Sequence, residues 1–405
     1  MGKAQHIAFV VPRLADGSVV GGAETLLRNL AERAAGHGRR VTVLTTCATS
    51  HYTWANELPP GRRAVGDIEV EFFPVDGDRN IETFLAIQDR ISAGAKVSAD
   101  DEQAWLCNSV NSRALCAHLA EAGDQYDVIV TGPYLFGLVY HAAKVRPHKT
   151  LLVPCLHDEP FAQLKAFREM FSAVRGCMFN TEPERRLAER LYGPPPAGQV
   201  AAVVGMGLDD FTVDASAFAA RHGISSPYLV YSGRREPLKG TPILIDYLEA
   251  FRARNDVDLK LVLTGSGEFP LPPSLVDHII DVGFVSATEK LEAMAGALAF
   301  CHPSVNESLG IVLLEAWLAG TPGIVHAKGE VLRYQCESSN GGLWFKTYPE
   351  FEEAVLLLLN NPDAHHALGQ AGREYVLREY SWVSVEKRLI DSLDRAGETA
   401  QGQDG

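Results

Sequence analysis

Short apolar runs, separated by segments of helical periodicity, recur in two consecutive series along this chain. No other feature constrains its fold as much. In the first series, His6 to Val11 is followed by a Gly-containing loop and then by Ala23 to Ala35, where Leu26, Leu27, Leu30, Ala31 and Ala34 fall at helical spacing. Val41 to Thr45, Val128 to Thr131 and Thr150 to Leu156 repeat the strand-like pattern. The second series begins after the loop around Gly205, with Tyr228 to Ser232, Leu259 to Thr264, His278 to Val282, Leu298 to His302 and Thr321 to Val325. Brief apolar runs without polar alternation are the mark of parallel strands buried on both faces. Two such series predict an α/β chain of two doubly wound domains facing a central cleft. The expected division is an N-terminal domain over 1–205, a C-terminal domain over 206–380, a last helix over 381–398 that returns to the first domain, and a disordered tail over 399–405.

A chain of 405 residues exceeds what one hydrophobic core usually supports, which agrees with two domains. The formal charge of −14 is unevenly placed: residues 1–205 carry 21 Lys+Arg against 23 Asp+Glu, and the remainder 16 against 28. An acidic chain without a concentrated basic face argues against nucleic acid as a partner. The pairs Arg39-Arg40 and Arg62-Arg63 read as solvated surface. Seven cysteines without a Cys-x-x-Cys pair suggest neither a disulfide framework nor a zinc site. No apolar stretch approaches the ~20 residues of a membrane span, so a cytoplasmic protein is expected, with peripheral membrane contact left open. Residues 51–103 are less regular, and Pro59-Pro60-Gly61 marks a loop, so this stretch reads as an insertion near the cleft mouth.

Polar residues at the ends of these strands are the candidates for chemistry, because open parallel sheets bind ligands there. Tyr228 to Ser232 ends in Gly233-Arg234, with Lys239-Gly240 five residues on, at the start of a helix predicted over Thr241 to Ala253. A diphosphate would meet the planar fork of Arg234 and the point charge of Lys239; a solvated polar loop would look the same. Leu263-Thr-Gly265-Ser-Gly267 is a strand entering a glycine turn, but it lacks the dinucleotide-binding G-x-G-x-x-G, and no Walker motif occurs. Glu307 and Glu315 stand eight residues apart around an apolar run. With Glu307 on the loop before a helix and Glu315 two turns inside it, the carboxylates share one face about 12 Å apart, which suits gripping two ends of one elongated ligand. Glu307 is equally explained as a surface carboxylate favoured by the helix dipole. Glu315, among Leu313, Leu314, Ala316 and Trp317, needs a partner.

Together these segments resemble the retaining glycosyltransferases of family GT4, in order along nearly the whole chain. The resemblance rests on Gly21-Gly22-Ala23-Glu24, Gly205-Met-Gly207-Leu-Asp209, Ser232-Gly-Arg234 with Lys239-Gly240, Gly283-Phe284-Val285, the E-x7-E segment Glu307 to Glu315, and Tyr380-Ser-Trp382 with the helix after it. It implies a GT-B fold of two Rossmann-like domains, with a nucleoside-diphosphate sugar as co-substrate. Arg234 and Lys239 would hold the phosphates, Glu315 the ribose hydroxyls and Glu307 the donor sugar. Gly21, Gly22, Gly265, Phe284, Val285, Ser308, Leu309 and Gly310 would line the donor. Ser308-Leu309 stands where many members have Gly-Phe.

In the first domain, His157-Asp158 and Asn180-Thr181 follow successive strand-like runs and are the expected contacts to sugar or acceptor, His157 also being a catalytic candidate. A histidine at the position of His157 is, taken alone, as often structural as functional. No residue is an evident covalent nucleophile, and the resemblance implies front-face attack with retention, the departing phosphate taking the acceptor's proton. Asp76-Gly-Asp78 and Asp256-Val-Asp258 match the bare Asp-x-Asp of metal-dependent transferases, but Asp256-Val-Asp258 precedes its strand, so no metal and no other cofactor is expected. The reading is thus transfer of a hexose-type sugar from a UDP-sugar, or secondly a GDP-sugar, to a hydroxyl of a small-molecule or glycan acceptor. A GT-B epimerase and a non-enzymatic two-lobed sugar-binding protein are the alternatives.

Overall fold

The structure is a computed structural model that describes residues 5–14, 21–66, 68–268 and 270–400. The chain divides into two units, Met1–Met206 with Val385–Gly405, and Gly207–Ser384. Each is an α/β unit built on one sheet, as the two apolar series predict.

The first unit carries β1 (His6–Val10), β2 (Arg40–Thr46), β3 (Gly61–Val65), β4 (Ile68–Phe73), β5 (Val128–Thr131), β6 (Thr150–Leu152), β7 (Gly176–Phe179) and β8 (Val200–Val203). They pair in the order β3-β4-β2-β1-β5-β6-β7-β8, and only β3 runs antiparallel, as a hairpin with β4. The chain winds outward in both directions from β1 and β5, so the strand order reverses between them. Buried Val, Ile and Leu fill the central strands, while β3 at the rim reads Gly-Arg-Arg-Ala-Val with Arg62 exposed and Arg63 half-buried over the Phe72 ring, a charged edge that resists further pairing.

Residues 51–103 differ from the expected irregular insertion. They contribute the β3-β4 hairpin and the helix Ile81–Ser92, which packs Ile87 and Ile91 into the core beside Trp105 and Leu106 of the helix Ala99–Asn108. The hairpin was hidden because an edge strand with arginines lacks the apolar run that marks a central one.

The second unit carries β9 (Tyr228–Ser232), β10 (Lys260–Thr264), β11 (Ile279–Gly283), β12 (Ala299–His302), β13 (Gly323–His326) and β14 (Gly342–Phe345), all parallel, in the order β11-β10-β9-β12-β13-β14. The order reverses between β9 and β12. Strand limits agree with the apolar runs to within two residues, except that β6 ends at Leu152 rather than at Leu156. Residues 153–157 have no regular secondary structure, and Cys155 takes a positive φ of 52°. The last helix, Trp382–Ala400, reaches past the expected end at residue 398. Its Val385, Leu389, Leu393 and Ala396 are buried within the first unit. Residues 401–405 of the expected tail lie outside the described residues. Among the described residues no helix is long and apolar enough to cross a membrane.

Candidate active site

The reversal point of the second sheet brings Lys239 and Glu307 together. Lys239 lies on the loop after β9 and Glu307 on the loop after β12, the two strands between which the sheet changes direction. Lys239 Nζ donates to Glu307 Oε1 at 2.6 Å, and Nε2 of His302, the last residue of β12, lies 3.1 Å from the same oxygen. Burial alone would raise the Glu307 carboxyl. The hydrogen bond and charge of His302 and the charge of Lys239 outweigh it and hold the group well below the usual carboxylate range. His302 is almost fully buried, and its Nδ1 has no hydrogen-bond partner among the described residues. His302 is not among the sequence candidates, although a polar residue closing an apolar strand just before Pro303 is the signal that singles out His157.

Arg234 is 61% exposed and pairs only loosely at the surface, with Glu236 at 3.1 Å, so its guanidinium faces solvent within reach of an anion. Its neighbour Arg235 has the opposite fate. Buried, it donates to the carbonyls of Gly265 and Gly267 and to Asp281 at 2.6 Å, tying the loop after β9 to β10 and β11. Gly265 is required here: with φ 108°, a Cβ would stand 2.3 Å from the carbonyl oxygen of Gly233. The two glycines thus let the two strand-end loops touch backbone to backbone, which adjacent arginines in sequence do not reveal.

Glu307 and Glu315 are arranged differently from the expected single helical face. The chain is non-helical from Pro303 to Gly310, Gly310 is left-handed at φ 78°, and the helix runs from Ile311 to Leu318. Glu315 is therefore its fifth residue, little more than one turn in, and helical spacing does not relate it to Glu307. A left-handed glycine resets the direction of the chain, which the eight-residue count ignores. Glu315 does have the partner it needs: Lys290 Nζ donates to both carboxylate oxygens at 2.7 Å, the side chains being 26% and 20% exposed. Leu309 is buried, with its carbonyl facing Gln335, while Ser308 is partly exposed. Phe284 and Val285 follow β11, Phe284 with 59% of its surface exposed.

In the first unit, Gly21 and Gly22 are exposed at the start of the helix Gly22–Gly36, after β1. Glu24 of the same motif accepts from the Gly21 amide at 3.3 Å and grips the buried Arg13 through both oxygens at 2.6 and 2.7 Å. His157 lies five residues beyond β6, with Nδ1 3.8 Å from Glu159, and Asp158 is 61% exposed and paired with Arg190. Asn180 and Thr181 are buried at the end of β7, Thr181 as the cap of the helix Glu182–Tyr192. These two loops meet through a residue the sequence did not single out. Glu184, fully buried, accepts the amide of Leu156 at 2.6 Å with one oxygen and that of Asn180 at 2.5 Å with the other. Burial pushes its carboxyl up to about 8 despite those amides. In sequence, Glu184 reads as an ordinary first-turn helix acid.

Both Asp-x-Asp motifs are engaged with basic side chains. Asp78 holds the Arg113 guanidinium at 2.9 Å through both oxygens while Asp76 accepts its backbone amide, and Asp258 pairs with Arg252 and His278.

Residues 215–375 match the family model described as glycosyl transferases group 1. The D-inositol 3-phosphate glycosyltransferase of Stackebrandtia nassauensis is 26% identical over 410 residues, covering 93% of this chain and 87% of that one. Its counterpart from Saccharomonospora viridis is 27% identical over 256 residues, and the match spans 58% of each chain. Among solved structures, sucrose-phosphate synthase from Thermosynechococcus elongatus has a TM-score of 0.69 at 18% identity, covering 98% of this chain and 100% of that one.

Proposed function

We propose that this chain, a glycosyltransferase of GT-B fold whose residues 215–375 fall in group 1, moves a hexose-type sugar with retention from a nucleoside-diphosphate sugar to a hydroxyl of a small-molecule or glycan acceptor. The observation that carries the donor half is the cluster of Lys239, Glu307 and His302 at the point where the second sheet reverses, with the exposed Arg234 on the same loop as Lys239. Lys239 is paired with Glu307. A diphosphate offers a second anion to Lys239 and Arg234, and Glu307, kept ionised by His302, then accepts hydrogen bonds from sugar hydroxyls. Glu315 takes the ribose diol.

The principal catalytic contribution is electrostatic: fixed cations facing the oxygens on which charge develops as the glycosidic bond breaks. Attack comes from the face the diphosphate leaves, and the departing phosphate oxygen takes the acceptor's proton, so no metal ion is needed. Gly21 and Gly22 add backbone amides for phosphate, Gly265, Phe284, Val285, Ser308, Leu309 and Gly310 complete the donor contacts, and His157, Asp158, Asn180 and Thr181 serve sugar or acceptor. A UDP-sugar is the first donor to try and a GDP-sugar the second. The two relatives, named for D-inositol 3-phosphate, add a phosphorylated polyol to the small acceptors worth testing.

A thermal-shift screen with UDP and GDP identifies the base, since a ligand stabilises according to its occupancy. Arg234→Ala and Glu307→Ala should then each lower kcat by about 10²-fold or more, the scale of losing one charge-stabilising group. Rates near wild type for both variants would overturn the assignment, and an inverted anomeric configuration in the product would overturn retention.

A further inference from the structure

The partner of Glu315 does more than neutralise it. Lys290 stands in the first turn of the helix Ala287–Ala295, which is capped by Ser286 and starts two residues after Val285. The acidic residues of that helix face elsewhere: Glu289 pairs with Arg221 and His222, and Glu292 with Arg221. Lys290 is turned toward the helix Ile311–Leu318, where its single ammonium bridges both oxygens of Glu315 at equal distance. The two helices belong to different strand-end loops, following β11 and β12, so the ion pair fixes a carboxylate on one loop from a support on the other.

We propose that Lys290 is the positioning residue for recognition of the ribose diol, so that it, with Glu315, sets the preference of this enzyme for ribonucleotide over 2′-deoxyribonucleotide donors. This rests on the reading of Glu315 as the ribose ligand. A carboxylate offers about four acceptor directions. The bridging ammonium occupies one on each oxygen, which leaves one on each oxygen for two neighbouring hydroxyls. It also locks the carboxylate plane before the nucleotide arrives, so the cost of immobilising a flexible glutamate is not charged against binding. A diol uses both remaining directions; a 2′-deoxyribose uses one, and gains correspondingly less from the fixed plane.

The test is equilibrium binding of UDP, 2′-deoxy-UDP, GDP and 2′-deoxy-GDP to wild type, Lys290→Met, Lys290→Gln and Lys290→Arg, with the thermal midpoint of each variant as a check of folding. For the base that binds, wild type should prefer the ribonucleotide about tenfold or more. Lys290→Met should weaken the ribonucleotide by about tenfold and leave the deoxynucleotide within about twofold, so that the preference collapses, with partial recovery in Lys290→Arg. In turnover, KM for the donor should rise while kcat holds. Equal weakening of both nucleotides, or an intact preference in Lys290→Met and Lys290→Gln, would reduce Lys290 to a tie between helices and overturn the proposal. If wild type itself shows no preference, the ribose reading of Glu315 fails and the proposal with it. If none of the four binds, the donor reading as a whole fails, a separate outcome.

Discussion

At the scale of single residues, the chain places its carboxylates in two opposed electrostatic states. Glu307 has His302 and Lys239 within hydrogen-bond distance and stays ionised far into acid. Glu184 is fully buried, and burial outweighs the backbone amides that favour its carboxylate and raises its folded-state value to about 8. A raised folded value means that the native state holds a proton the unfolded chain releases. The stability this confers is complete below the unfolded value near 4.5 and is lost as pH rises through about 8. Thermal midpoints should therefore fall across that window, and Glu184→Gln, which cannot ionise, should flatten the profile. A profile in Glu184→Gln as steep as in wild type would assign the slope to other groups. Sequence made the positions of Arg234, Lys239 and Glu307 after strand ends readable, since polar residues closing apolar strands stand out. Arg235, Lys290 and Glu184 were not readable in the same way, because each acts through a partner remote along the chain: 46 residues to Asp281, 25 to Glu315 and 28 to Leu156.

At the scale of elements, what matters is how closely strand-end loops approach. Gly265 and Gly233 meet backbone to backbone, so Gly265→Ala must move main chain and also adopt φ 108°, a conformation unsuited to a side chain. A loss of at least ~2 kcal/mol is expected from the combined strain and overpacking, read as a lower urea midpoint with unchanged m. Weaker nucleotide binding should accompany it, because the same contact carries the loop of Arg234. Stability within ~0.5 kcal/mol of wild type would mean that the two loops separate cheaply. Central strands were legible almost to the residue because they are buried on both faces and must be apolar throughout. The β3-β4 hairpin and the short β6 were not. An edge strand carries charged residues such as the exposed Arg62, and the apolar stretch Val153 to Leu156 is held by the Glu184 bridge and by non-ladder contacts rather than by strand pairing.

At the scale of the whole molecule, the last helix makes the C-terminus part of the first unit. Glu386 pairs with Arg33 and His37, Asp394 pairs with Arg39, and Gln5 donates to the carbonyl of Leu393. Val385, Leu389 and Leu393 are fully buried. At about 1.5–3 kcal/mol for each large apolar side chain, these three alone compare with the ~5–15 kcal/mol total stability of a typical domain. Truncation after Ser384 should abolish cooperative unfolding of the first unit, and limited proteolysis should find 1–206 cleaved while 207–384 resists. Equal resistance of both would contradict this. The sequence by itself determined two α/β units, the strands at their centres and the polar residues that follow those strands, because burial on two faces and positions at strand ends leave local marks. Only the tertiary structure decided which carboxylate meets which cation, where the glutamate pair stands, and that residues after Ser384 fold with the first 206. Those outcomes depend on one left-handed glycine, on backbone contacts between loops and on burial across hundreds of residues, none of which has a local signature.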